Sequence, residues 1–201
     1  MQGFESLQGR RKVTVSKLIE IRWHGRGGQG AVTSSELVSH AAISEGKYAL
    51  SFPSFGPERR GAPVLAFNRI DEEPIRIRTE ITKPDIVVVL DPGLLRVINA
   101  ASGLKRGGML IINTRKSPEE IRGEFGFKSK LATVNATRIA WDILKVPITN
   151  TTMVGALIKG REIVKLESLV EPLRERFGRI ADINIEAMKR AYEETVVKEG
   201  I

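Results

Sequence analysis

Not one of the 201 residues is a cysteine. Disulfides are thereby excluded, as are thiolate zinc sites and iron–sulfur clusters ligated by this chain, so any redox metal that works with it must sit on a partner. Long hydrophobic runs are missing too: nowhere do the roughly 20 consecutive apolar residues of a membrane span occur. The polar stretch from Met1 to Lys17 lacks the apolar centre of a secretory signal, so a cytoplasmic protein with no membrane partner is expected. Aromatic residues make up only 5% of the chain, and histidines number two. No ribonucleoprotein-type motif or zinc finger is visible, and nucleic acid is not expected as a partner. Neither paired carboxylates nor a nucleophile motif completes a catalytic constellation. Acid is outnumbered, with 24 Asp and Glu against 32 Lys and Arg and a formal charge of +8. That excess favours anionic partners, whether nucleic acid, a phosphorylated cofactor or acidic sister subunits, without choosing among them.

What is present suits one globular unit. With 41% apolar side chains the chain can bury a single good core. We expect one domain over residues 16–201 and a loose tail over 1–15, where Gln2, Gly3, Ser6, Gln8 and Gly9 cluster. Strand and helix patterns alternate after the tail. A buried-looking strand runs into Gly25-Arg26-Gly27-Gly28-Gln29-Gly30. A helix follows from Ala31 to Glu45, rich in the small residues Ala31, Ser34, Ser35, Ala41 and Ala42 and stopped by Gly46. Tyr48 to Phe52 reads as the next strand of a βαβ unit, and residues 54–63 read as a loop rich in Pro and Gly. Val64 to Ile70 and Ile75 to Ile81 flank the turn at Asp71–Pro74, which predicts a half-exposed antiparallel hairpin with Arg76 and Arg78 on one face. The β-branched run from Asp85 to Leu90, and the shorter runs Met109 to Asn113 and Leu131 to Val134, predict central parallel strands. The sum is an α/β protein with an open, largely parallel, doubly wound sheet. Helical stripes follow at Leu166, Leu169, Val170, Leu173 and Phe177, and at Ile185, Met188, Tyr192 and Thr195.

Four glycines within six residues, between a strand and a helix, let backbone pass close to a ligand and point free N–H groups and a positive helix end at it, a design for phosphate. Gly25, Gly27 and Gly30 also satisfy the dinucleotide fingerprint. The dinucleotide reading fails its second test, because an acidic residue should end the following strand to hold the ribose, and that strand ends Leu50-Ser51-Phe52-Pro53. The loop residues Gly25, Arg26, Gly27, Gly28, Gln29 and Gly30, with Ser34 in the helix behind, are therefore the candidate cofactor-binding set. Arg59 and Arg60, between Pro57 and Pro63, could clamp a phosphate or an acidic partner surface. His24 ends the first strand just before the glycines, whereas His40 reads as exposed on the helix. Asp91-Pro92, Asn135 to Thr137 and Asn150 to Thr152 read as helix starts.

Three ordered motifs carry a resemblance: Trp23 to Ala31, Phe52 to Pro63, and Pro84 to Asp91. In these the chain closely resembles the gamma subunit of pyruvate and related 2-oxoacid:ferredoxin oxidoreductases. The likeness runs from about Ile19 into the C-terminal helix and includes Asn150-Thr151 and Gly155-Ala156. The resemblance implies a Rossmann-like module that shapes the coenzyme A side of a complex converting 2-oxoacid, CoA and oxidised ferredoxin to acyl-CoA, CO2 and reduced ferredoxin. Thiamine diphosphate, magnesium and iron–sulfur clusters would be held by alpha, beta and delta-type sister subunits, and ferredoxin would be met through the complex. Carried onto this sequence, Gly25 to Gly30 would meet CoA phosphates, no residue would be catalytic and none would hold a metal. The small subunit of indolepyruvate ferredoxin oxidoreductase shares these motifs and is the nearest alternative. A freestanding NAD-binding oxidoreductase is a further one.

Overall fold

The computed structural model describes residues 18–54 and 61–201. The tail over 1–15 and the arginines Arg59 and Arg60 lie outside the described residues. Seven strands form one sheet: β1 (Ile19–Arg26), β2 (Tyr48–Pro53), β3 (Pro63–Asp71), β4 (Ile86–Val89), β5 (Met109–Asn113), β6 (Lys130–Val134) and β7 (Val196–Lys198), in the spatial order β2-β3-β1-β4-β5-β6-β7. The neighbours β1, β4, β5 and β6 pair in parallel, while β3 runs antiparallel to both β1 and β2, and β7 antiparallel to β6. Five of the seven strands thus point one way, as the apolar runs predict.

The helices are α1 (Ala31–Ser44), α2 (Pro118–Phe125), α3 (Ala136–Leu144), α4 (Asn150–Gly160), α5 (Val170–Phe177) and α6 (Ala181–Glu194). Alternation along the strands sorts the side chains into two cores. Ile21, Trp23, Ile86, Val88 and Ile111 pack on one face beneath α1, α3, α4, α5 and α6. Val87, Val89, Leu110 and Ile112 face the other way, toward Leu94, Leu95 and Ile121.

Two expectations need correction. The segment Ile75 to Ile81 forms no strand, so the antiparallel hairpin is made by β2 and β3. Since β3 is flanked by β1 and β2, both its edges are taken and nothing remains for Ile75 to Ile81 to pair with. That segment's carbonyls are instead bonded by side chains from the sheet, Ile77 and Thr79 by Arg69 Nη1 and Ile81 by Arg22 Nη1. Secondly, β2 is parallel in direction to β1, but β3 is inserted between them, so the βαβ unit is split.

The small residues of α1 serve the close approach that their size suggests. Buried Trp23 donates from Nε1 to Asn68 Oδ1 at 2.7 Å, and Asn68 Nδ2 donates to Ser35 O at 2.7 Å and Ser39 Oγ at 2.8 Å. A single asparagine thereby satisfies the buried polar groups of two strands and a helix. The helix ends as the sequence predicts: Gly46, at φ +81°, donates to Ile43 O, and Lys47 N reaches back to Ala42 O. Gly155 marks a second close approach, since a Cβ there would stand 2.0 Å from Met188 O of α6. Gly155→Ala should therefore destabilise the fold by about 1–3 kcal/mol through overpacking. Gly123→Ala, in open space on α2, should stabilise it by about 0.5–1 kcal/mol through helix propensity. Thermal unfolding of the two variants checks the contrast.

Candidate functional site

The loop between β1 and α1 is fastened from three sides. Gly27 N donates to Ala62 O at 2.9 Å, and Gly61 N donates back to Gly27 O at 3.2 Å, tying the loop to the entrance of β3. Within the loop, Gln29 N bonds Arg26 O at 2.9 Å while Gln29 Oε1 accepts from Arg26 N at 2.8 Å. From β4 the carboxylate of Asp91 reaches across: Oδ2 accepts from Arg26 Nε at 2.9 Å and from Gln29 Nε2 at 3.0 Å, and Oδ1 accepts from Gly93 N at 2.8 Å. Asp91 is the helix-start residue that its sequence context predicts, capping the short 3-10 turn Pro92–Arg96. It also braces the loop, a second role that the sequence does not announce.

The glycines have distinct reasons. Gly28 at φ +94° and Gly30 at φ +80° hold left-handed conformations. A Cβ on Gly30 would in addition meet Asn150 at 2.9 Å, and a Cβ on Gly25 would crowd Ala31 at 3.3 Å. Helix α1 begins at Gly30 with no side-chain cap and no acidic residue in its first turn. The first-turn N–H groups of Ala31, Val32 and Thr33 find no acceptor among the described residues. This is the polarity that favours an anion.

In front of the loop lies a crevice of about 450 Å³, bordered by Gly27, Gly28 and Gln29 from the loop, by Leu90 and Asp91 past β4, and by Asn113 at the end of β5. It opens at the carboxyl ends of β1 and β4, whose following segments lie on opposite faces of the sheet, the position where open α/β sheets bind ligands. Thr137 of α3 and the stretch Pro147 to Thr149 before α4 close the far side. Asn113 is held rigidly, donating to Leu90 O at 2.8 Å and Thr137 Oγ1 at 2.9 Å.

The expected residues are only partly brought together. Gly27, Gly28 and Gln29 line the crevice. Arg26 is paired with Asp91 through Nε and also donates from Nη1 to Gly61 O at 3.2 Å, so two of its five N–H groups are spent on bracing the loop. Ser34 is buried, and its hydroxyl bonds Gly30 O at 3.0 Å and Asn150 O at 3.2 Å, fastening α1 to α4 rather than facing the crevice. Asn113, Thr137 and Thr149 are not read as site residues from the sequence, which places Asn113 only at a strand end and Thr137 only at a helix start. Asn113 carries the one available signal, a polar residue closing the apolar run Met109-Leu110-Ile111-Ile112.

The chain's affinities agree with this layout. The family described as pyruvate ferredoxin/flavodoxin oxidoreductase matches residues 20–194. The chain belongs to the pyruvate ferredoxin/flavodoxin oxidoreductase family. It is 54% identical over 184 residues to the pyruvate/ketoisovalerate oxidoreductases common subunit gamma of Thermococcus litoralis, covering 90% of this chain and 100% of that one. Against pyruvate synthase subunit PorC of Methanothermobacter marburgensis it is 49% identical over 178 residues, 88% of this chain and 97% of that one. The crystal structure of pyruvate oxidoreductase subunit PORC from Thermotoga maritima superposes with a TM-score of 0.81 at 41% identity, over 90% of this chain and 99% of that one. Within the pyruvate ferredoxin/flavodoxin oxidoreductase family the chain is therefore a gamma-type subunit of a multi-subunit oxidoreductase. No helix among the described residues is long and apolar enough to cross a membrane.

His24 sits behind the loop, 5% exposed, and accepts from Arg22 Nε at its Nε2 (3.0 Å). Burial, reinforced by the Arg22 charge, pushes its pKa down to about 3. The unfolded chain takes up a proton near the ordinary histidine value and the folded chain does not, so stability falls as pH drops below about 6.5. The loss reaches about 1.4 kcal/mol by pH 5.5. Urea unfolding between pH 8 and 5 checks this, and His24→Gln should flatten the profile. Asp91→Ala should cost about 2–4 kcal/mol, from one cap and two hydrogen bonds involving a charged group. Asp91→Asn, which can still accept from Gly93 N, should recover part of that loss in the same assay.

Proposed function

We propose that this chain forms the CoA side of a pyruvate-type 2-oxoacid:ferredoxin oxidoreductase, with the β1–α1 loop receiving CoA phosphate groups. One observation carries the reading. An uncapped helix start, with Gly28 and Gly30 in left-handed conformations, borders an open crevice at the carboxyl edge of the sheet. Phosphate needs several N–H donors and a positive end, and this loop supplies both. The strand β2 ends in Ser51-Phe52-Pro53, without the acid that a nicotinamide dinucleotide would require, which favours CoA over NAD.

The chain's own residues bind and orient, while bond breaking and electron transfer fall to cofactors held elsewhere. Thiamine diphosphate, when bound by a sister subunit, supplies the carbanion chemistry that releases CO2. With no cysteine, iron–sulfur clusters must be carried by alpha, beta or delta-type sister subunits, through which ferredoxin is reached. Exposed Trp141 on α3, together with Val146 and Ile148 beside the crevice, offers an apolar surface suited to such partners.

Gly28→Ala places a methyl group in open space but forces an L-residue into a left-handed conformation, at about 1–2 kcal/mol. If that strain displaces the phosphate-binding backbone, the KM for CoA of the assembled enzyme should rise roughly 5- to 30-fold. The KM for pyruvate should stay within about twofold, since this loop is not asked to touch the oxoacid. Steady-state ferredoxin reduction with each substrate varied separately checks this. An unchanged CoA KM would count against the loop.

A further inference from the structure

On the other face of the sheet, β1 carries a charge that the crevice does not use. Arg22 is 8% exposed, and no carboxylate pairs with it among the described residues. Its guanidinium donates from Nε to His24 Nε2 at 3.0 Å, from Nη2 to Ala100 O at 3.0 Å and Ser102 O at 2.6 Å, and from Nη1 to Ile81 O at the long distance of 3.5 Å. A guanidinium has five N–H groups, so one on Nη1 is left over and a second is barely engaged. The neighbouring imidazole is in a similar state. Because Nε2 accepts from Arg22, the proton of neutral His24 resides on Nδ1, and Nδ1 is buried with no partner among the described residues. A buried cation balanced only by carbonyl dipoles, beside a buried donor with nothing to bond, is an arrangement that folded proteins avoid without cause.

Arg22 and His24 wall a cavity of about 390 Å³ that also touches Leu65, Leu94, Ile98 and Asn99. It shares no lining residue with the crevice in front of the glycine loop. The apolar side chains suit a hydrocarbon body. The single uncompensated positive charge suits one negative charge, not the two that a phosphate monoester carries. We propose that this cavity is a second binding site, distinct from the glycine loop, for a small aliphatic monocarboxylate whose carboxylate neutralises Arg22. Such an anion brings acceptors of the kind that the spare Arg22 N–H and the His24 ring lack.

With only two histidines in the chain, imidazole ¹⁵N resonances provide a direct reporter. The ¹⁵N-labelled full chain would be titrated at pH 7 with sodium butyrate, with sodium chloride at matched ionic strength as the control. The His24 resonances should shift saturably with butyrate, while those of exposed His40 stay in place. Inorganic phosphate at equal concentration should produce at most a tenth of the shift. Arg22→Met removes the charge but endangers the fold, so Ile98→Trp, at a half-buried position of the lining, supplies the second variant: it should weaken the apparent butyrate affinity at least tenfold while the chain stays folded, as the unshifted His40 resonances report. Unmoved His24 signals, equal shifts with chloride, stronger shifts with phosphate, or full butyrate response in Ile98→Trp would each overturn the assignment. None of these outcomes depends on the glycine loop or on CoA.

Discussion

The carboxylate of Asp91 holds the glycine loop in place. One of its oxygens gathers the side chains of Arg26 and Gln29, and the other caps the turn that follows β4. Through these bonds the end of β1 and the end of β4 are fixed relative to one another, and the crevice between them acquires a floor. The short spans involved make the brace stiff, and a stiff loop presents backbone donors without first having to order them. Behind the brace, Gly30 lets Asn150 approach to a distance no Cβ would tolerate, so α1 and α4 meet at the loop as well. The loop is therefore pinned by β3, β4 and α4, leaving its open side toward the crevice.

The same logic fits the proposed division of labour within the enzyme. A chain without cysteine and with two histidines, neither of them in the crevice lining, has little with which to perform redox chemistry or proton transfer there. What it has is backbone: glycines, an uncapped helix and a sheet edge. That equipment suits the role proposed for this gamma-type subunit, positioning a phosphorylated co-substrate for chemistry on its partners.

Much of this was legible in the sequence because it depends on local pattern. The apolar runs of β4, β5 and β6, the glycine stop at Gly46, and the caps at Asp91 and Asn135 rest on residues a few positions apart, and the structure shows each of them. The insertion of β3 between β1 and β2 depends on pairing between distant segments, which alternation cannot specify, and so the hairpin was assigned to the wrong partner. At the site the sequence located the glycine loop, yet it could not show that Arg26 would be drawn to Asp91, 65 residues away, or that Ser34 would be buried against α4. Arg59 and Arg60 lie outside the described residues. The alternation of Glu20, Arg22 and His24 along β1 was a visible sign of a polar face, but burial of the cation without a carboxylate among the described residues is a property of the folded sheet alone.

The measurement that bears most directly on the central claim is amide hydrogen exchange of the assembled enzyme with and without saturating CoA. If CoA phosphates sit on the β1–α1 loop, the backbone amides of Ala31 to Thr33, otherwise without acceptors among the described residues, should exchange at least about tenfold more slowly when CoA is bound, as expected for donors newly engaged by an anion. Unchanged exchange across that segment, with protection appearing only on sister subunits, would contradict the account.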